Sequence, residues 1–223
     1  MSAEKTKLRV DVISDVVCPW CYLGKRHLER AIEQVADRFD VEVEWHPFQL
    51  NPDMPREGRD WAEYVTERFG SMDRLREGQA RLIQAGKAQG IDYAFEKVSR
   101  AVNTLDAHRL IWFAKERGGL GKQDEVAEAL FAANFLEGRD VGDRGTLLEI
   151  AEKAGLDRAE VEEMLGSKSG EEQVQFSEMQ ARQLGVSGVP FFIAGGKHAV
   201  SGAQPVEVLV SLLERAASDP AQP

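Results

Sequence analysis

The chain holds two cysteines, and both fall in one tetrapeptide, Cys18-Pro19-Trp20-Cys21. A thiol of pKa ~8.5 is only about 3% thiolate at pH 7, yet the thiolate is the species that attacks a disulfide or ligates a metal. Three uses of such a pair can be compared. As a staple it is poorly placed, because closing a four-residue loop contributes only about 2 kcal/mol, against about 4.7 for a 100-residue loop. As a metal site it needs further ligands, and His27, His46, His108 and His198 stand at none of the usual Cys/His spacings, so no metal is expected. As a redox pair it has a mechanism, provided that a helix start lies under it.

The surrounding residues supply one. Residues 8–13 alternate apolar and polar side chains and read as a strand, which Ser14 and Asp15 end. From 20 to 39 the apolar residues Leu23, Leu28, Ile32, Val35 and Phe39 recur at helical intervals, and Pro19 suits a first helical turn. Unpaired backbone N–H groups and the helix dipole then favour an anion at Cys18. Cys21, one turn on and on the inner face, is placed to attack a mixed disulfide formed there. Cys18 is therefore read as the nucleophile and Cys21 as the resolving thiol.

Residues 41–46 alternate again, completing a strand–helix–strand unit with a parallel pair. Helical spacing then runs through 61–69, 72–89, 104–117, 124–136, 145–154, 157–165 and 171–184, with glycines between the segments as helix ends. Strand patterning returns at 189–194, where Gly195-Gly196 suits a tight hairpin, and an amphipathic helix from Gln204-Pro205 follows. Residues 216–223 read as a frayed tail. The expected organisation is one small α/β domain formed by 1–58 and 185–223, interrupted by an all-helical block over 59–184.

Composition excludes several partners. With 28 Lys+Arg against 38 Asp+Glu the net charge is −10, which disfavours nucleic acid and anionic membranes. A content of 43% hydrophobic and 30% charged residues is that of a globular protein, and 223 residues suffice for a core. No apolar run approaches the roughly 20 residues of a membrane span. Residues 1–7 are polar, and Asp11 and Asp15 cut the stretch after them, so no secretory signal is read and the cytoplasm is the expected compartment. Neither a phosphate loop nor a GxSxG elbow is present.

Four segments together are more specific than the cysteine motif alone: Cys18-Pro19-Trp20-Cys21, Phe48-Gln49-Leu50-Asn51-Pro52, Asn103-Thr104-Leu105-Asp106-Ala107-His108-Arg109-Leu110 and Ser201-Gly202-Ala203-Gln204-Pro205. With Gly188-Val189-Pro190-Phe191-Phe192 before the hairpin, the chain resembles the FrnE group of the DsbA-like branch of the thioredoxin superfamily. The resemblance implies an α/β thioredoxin fold interrupted by an all-α helical insertion and the activity of a thiol–disulfide oxidoreductase. It also implies a cis Val189-Pro190 bond facing the cysteines, with the Val189 backbone holding substrate by strand-like hydrogen bonds. The implied partner is a disulfide- or dithiol-bearing protein or small molecule, and a homodimer is possible. No cofactor is required, although glutathione is a possible co-substrate.

Glutathione-dependent relatives of the same fold, the kappa-class transferases and 2-hydroxychromene-2-carboxylate isomerases, carry Ser where Cys18 stands. They give the alternative reading, an isomerase or transferase acting on an aromatic or polyketide-like compound; a chaperone-like binding module is a third. Trp20, inside the motif, is expected at the surface in reach of substrate. Asn103 and Thr104 are expected to cap a helix, and His108 to be half-buried against a backbone carbonyl. The alternative for Asn103 and His108 is a place along the substrate cleft.

Overall fold

The computed structural model describes residues 5–219. Its central sheet has the order β2-β1-β5-β6 and is built from both ends of the chain. Strand β1 (Thr6–Ser14) pairs in parallel with β2 (Phe39–Pro47), in a register that sets Thr6 opposite Phe39 and Ser14 opposite Pro47. Strand β5 (Phe191–Ala194) runs antiparallel to β1, with Ile13 opposite Phe191, and β6 (His198–Ser201) closes the edge. Alternation along β1 sends Leu8, Val10 and Val12 into the main core and Ile13 to the opposite face, against Phe48, Ala181 and Val186. Gly195 and Gly196 both adopt positive φ, 60° and 68°, as a two-residue hairpin of the twisted kind requires.

Helix α1 (Pro19–Val35) packs beside α8 (Val206–Ser218) on this sheet. The predicted helix extended to Phe39, but it stops at Val35: Phe39 opens β2, where pairing with Thr6 uses its backbone. Between the two halves of the sheet come α2 (Trp61–Phe69), α3 (Met72–Lys87), α4 (Leu105–Ala132), α5 (Arg144–Lys153), α6 (Arg158–Gly166) and α7 (Glu171–Gln183). One apolar core runs through sheet and helices: the Tyr22 ring stacks on Phe131 at 5.2 Å, and Trp45 meets Phe131 edge-on at 6.0 Å.

Three expectations need correction. The helical block also contains a two-residue ladder, β3 (Arg59–Asp60) with β4 (Arg100–Ala101), too short to show any alternation in sequence. The segments 104–117 and 124–136 are not separated by a loop. They join in α4 across Gly119, whose φ of 72° and ψ of −168° turn the expected break into a kink. Residues 216–218 are the last turn of α8 rather than a frayed tail, the rest of which (220–223) lies outside the described residues.

Candidate active site

The end of β1 and the start of α1 bring the cysteines to the edge of the core. The Cys18 N–H donates to the Asp15 carbonyl at 3.0 Å, which turns the chain after Ser14 and sets Cys18 at the N-cap of α1. Pro19 then occupies the first turn, where its missing N–H is of no consequence. Cys18 thus lies at the N-terminus of a 17-residue helix, the positive end of its dipole. Both thiols are free and buried, Cys18 4% and Cys21 1% exposed. Burial pushes the Cys21 thiol far above its ordinary value, and the Cys18 sulfur adds to the rise through a hydrogen bond and its charge. The Ser14 hydroxyl and the Asp15 backbone act in the opposite sense without reversing it.

Four segments distant in sequence close the site. The Val189-Pro190 bond is cis, and the Cys18 thiol donates to the Val189 carbonyl across 3.5 Å. Helix α1 approaches Pro190 closely because residue 24 is glycine: a Cβ there would stand 3.0 Å from Pro190 Cγ and 3.0 Å from Phe192 Cζ. Gly202 N–H donates to the Pro190 carbonyl at 2.8 Å, and His27 Nδ1 bonds the Gln204 carbonyl at 2.8 Å, so the 201–205 segment ties the hairpin to α1. From the insertion, the Tyr93 hydroxyl donates to the Pro19 carbonyl at 2.6 Å. Burial, and secondarily the Cys18 charge, drive the Tyr93 hydroxyl upward, which keeps it a donor.

Residues 9–214 match the family described as DSBA-like thioredoxin domains, nearly the full length of the chain. The chain belongs to the DsbA-like family. A probable DsbA oxidoreductase from Streptomyces coelicolor shares 34% identity with it and superposes with a TM-score of 0.88, over 97% of this chain and 92% of that one. YwbO of Bacillus subtilis is 31% identical over 189 residues, 84% of this chain and 87% of its own length. At 18% identity, a 2-hydroxychromene-2-carboxylate isomerase shares the fold with a TM-score of 0.71, covering 93% of this chain and 95% of its own.

Within this DsbA-like frame the candidate residues divide. Cys18, Cys21, Val189 and Pro190 converge, and Trp20, 43% exposed, stands beside them at the surface. Asn103 does not join them: its Oδ1 accepts from Leu105 N–H at 2.9 Å, capping α4, and its Nδ2 donates to the Met54 carbonyl at 2.6 Å. Thr104 occupies the N-cap position but makes no capping bond. His108 departs from the expected half-buried ring against a carbonyl. It is 3% exposed, and its Nε2 lies 3.3 Å from Oδ1 of Asp15, a wholly buried carboxylate. The other oxygen of Asp15 accepts from Leu50 N–H at 2.8 Å, and Glu178 accepts from Gln49 N–H at 2.5 Å, so the 48–52 segment is held to the site by two buried acids.

Sequence spacing gave no sign of Asp15, Tyr93 or Lys25 as parts of this assembly. Lys25, on α1 and 3% exposed, is surrounded by Glu29 at 2.5 Å, Asp124 at 3.1 Å and Glu128 at 3.4 Å, which pin α1 to α4. Among the described residues one group, Asp11, Glu44 and His46, brings three possible ligand atoms within 4.8 Å. It is an ion-pair network, since Arg9 and Lys115 both hold Glu44, and His46 bonds Asp11 at 2.8 Å. No helix among the described residues is long and apolar enough to cross a membrane.

Proposed function

We propose that the chain is a thiol–disulfide oxidoreductase of the FrnE type, working through Cys18 and Cys21. The observation that carries this reading is the asymmetry of two buried thiols: one at a helix N-cap against the Val189 carbonyl, the other pushed far above its ordinary value by burial and by its neighbour. The Cys18 thiolate attacks a substrate disulfide, forming a mixed disulfide and releasing one substrate thiolate. Cys21 then loses its proton and attacks Cys18 Sγ, releasing the second thiolate and leaving a Cys18–Cys21 disulfide. Two electrons pass from the pair to the substrate; in reverse, the oxidised pair takes two electrons from a dithiol.

Val189 would offer its backbone to the substrate as a strand does, and Trp20 an apolar contact beside it. A third cysteine is absent from the sequence, so another molecule must recycle the pair, and glutathione is the proposed co-substrate. In this reading the protein works in the cytoplasm, where reduced thiol pools are abundant. The thiol at position 18 sets this function above a glutathione-dependent isomerase or transferase, whose resemblance carries Ser there. Dithiothreitol-driven reduction of insulin tests it. Cys18→Ser is expected to abolish the activity, and full activity in that variant overturns the proposal.

A further inference from the structure

Strand β2 is an edge of the central sheet, and its outward backbone is only partly covered. Thr6 N–H donates to the Arg38 carbonyl at 3.1 Å and Phe48 N–H to the Ser14 carbonyl at 3.0 Å, which fixes the phase of the ladder. The even-numbered residues of β2 bond to β1, and Val41, Val43 and Trp45 present their N–H and C=O groups outward. At Trp45 a side chain caps that edge. Gln123 of α4, 2% exposed, accepts from Trp45 N–H at 3.0 Å and donates to the Trp45 carbonyl at 2.9 Å, as the peptide group of a neighbouring strand would. Nothing among the described residues does the same for Val41 and Val43.

The open stretch lies in a groove of about 630 Å³ between α1 and the kink of α4. Leu28 and Ile32 of α1 and Leu120 of α4 make its apolar walls, and its rim is acidic. Glu29, Glu33, Glu42 and Asp124 stand there against one base, Lys25, whose charge Glu29, Asp124 and Glu128 already hold. Glu33 and Glu42 are exposed, and Glu33 forms no ion pair among the described residues.

We propose that this edge is a docking site for an extended basic segment of a partner protein, which adds to the sheet beside β2 and sets Lys or Arg against the carboxylates of the groove. Unpaired edge groups are satisfied by another backbone, and the Gln123 amide seated at Trp45 already has the geometry such a backbone needs. Charge then selects the sequence. A second copy of this chain would bring its own Glu33, Asp40 and Glu42 to the same edge, with a net charge of −10 on each chain, whereas a basic strand meets opposite charges. The edge is also remote from the thiols. Val41 and Val43 pair with Leu8 and Val10, while Cys18 follows Ser14 at the other end of β1, and Val10 to Ser14 alone spans roughly 13 Å of strand. A segment docked here leaves Cys18 and the Val189 carbonyl open, so docking does not depend on the thiol cycle.

Calorimetric titration at low salt with the end-blocked peptide Lys-Val-Lys-Val-Lys-Val tests the site, against its fully N-methylated counterpart, which keeps the charges but has no backbone donor. The plain peptide is expected to bind at least about tenfold more tightly than the N-methylated one. It should also slow amide hydrogen exchange at Val41 and Val43, while Trp45, held by Gln123, changes little. Glu33→Lys combined with Glu42→Lys is expected to weaken binding about tenfold or more. Val41→Pro, which removes an outward donor without touching the ladder to β1, should act in the same direction. The comparison of the two peptides needs no variant and decides the matter if neither variant folds. Absence of binding, equal binding of the two peptides, or equal binding of Glu-Val-Glu-Val-Glu-Val overturns the proposal. Self-association of the free protein that itself slows exchange at Val41 and Val43 overturns it too, because the edge is then a seam between copies.

Discussion

The Cys18 sulfur stands 3.5 Å from the carbonyl oxygen of Val189, a residue 171 positions away in the chain. That contact joins the first strand–helix corner to the returning hairpin, and in the proposed cycle it would give Cys18 a backbone edge against which an extended substrate could lie. Its geometry depends on how closely α1 rests on Pro190, and residue 24 sets that distance.

Gly24→Ala tests this dependence. The new Cβ would meet Pro190 Cγ and Phe192 Cζ at 3.0 Å each, closer than side chains normally pack. Overpacking costs about 1–3 kcal/mol, and the better helix propensity of Ala returns about 1 kcal/mol. The net expectation is a stability loss of about 1 kcal/mol in thermal or urea unfolding, with a several-fold fall in insulin reduction. Unchanged turnover would show that the contact of α1 with Pro190 does not position the site.

The two thiols should differ sharply in reactivity. Cys21 is 1% exposed and its thiol is pushed well above the ordinary value by burial and by Cys18, whereas Cys18 lies at the N-cap of α1. Short treatment of the reduced protein with iodoacetamide at neutral pH, followed by peptide mass spectrometry, is expected to label Cys18 and spare Cys21. Cys21 should become labelled only in denaturant. Preferential labelling of Cys21 in the folded protein would reverse the assigned roles.

Lys25→Met should destabilise the protein through the acids it leaves behind. A fully buried ion pair that loses one member costs about 3–5 kcal/mol, but Glu29 and Asp124 are 40% and 42% exposed and Arg26 also binds Glu29 and Glu128, so about 2 kcal/mol is expected. The pH dependence has a definite sign. Burial would raise the Glu29 carboxyl, but Lys25 and Arg26 outweigh it and hold it below its ordinary value. Its contribution is therefore present above the ordinary carboxylate range and lost as the pH falls through the lowered value. Urea unfolding near pH 7 should separate parent and variant, and the difference should shrink in acid below about pH 4.

Much of this arrangement is legible in the chain because its signals are local. Alternation marks β1 and β2, Pro19 marks the start of α1, and Gly195-Gly196 marks the hairpin. What escapes is decided by contacts across long sequence separations. The approach of His108 to Asp15, the Tyr93 bond to Pro19 and the enclosure of Lys25 each depend on how the insertion settles over the sheet, and a lone His, Tyr or Lys gives no local sign of its partner. Gly119 shows the opposite failure: its local sign was read, but packing on both sides carries the helix through the kink. The motif segments resolve unevenly. Ser201 to Pro205 ties the hairpin to α1, whereas Arg109 serves the fold, clamping the carbonyls of Met164, Ser167 and Ser169 from within the core.

In the proposed cycle Cys18 and Cys21 form one reversible two-electron couple. Equilibration of the protein with mixtures of reduced and oxidised glutathione, followed by acid quenching, alkylation and mass measurement, reads it directly. A single transition is expected, in which both thiols disappear together into an intramolecular disulfide, and its midpoint gives the reduction potential. A protein that stays glutathionylated at Cys18 while Cys21 remains a free thiol, at every glutathione ratio, would contradict it.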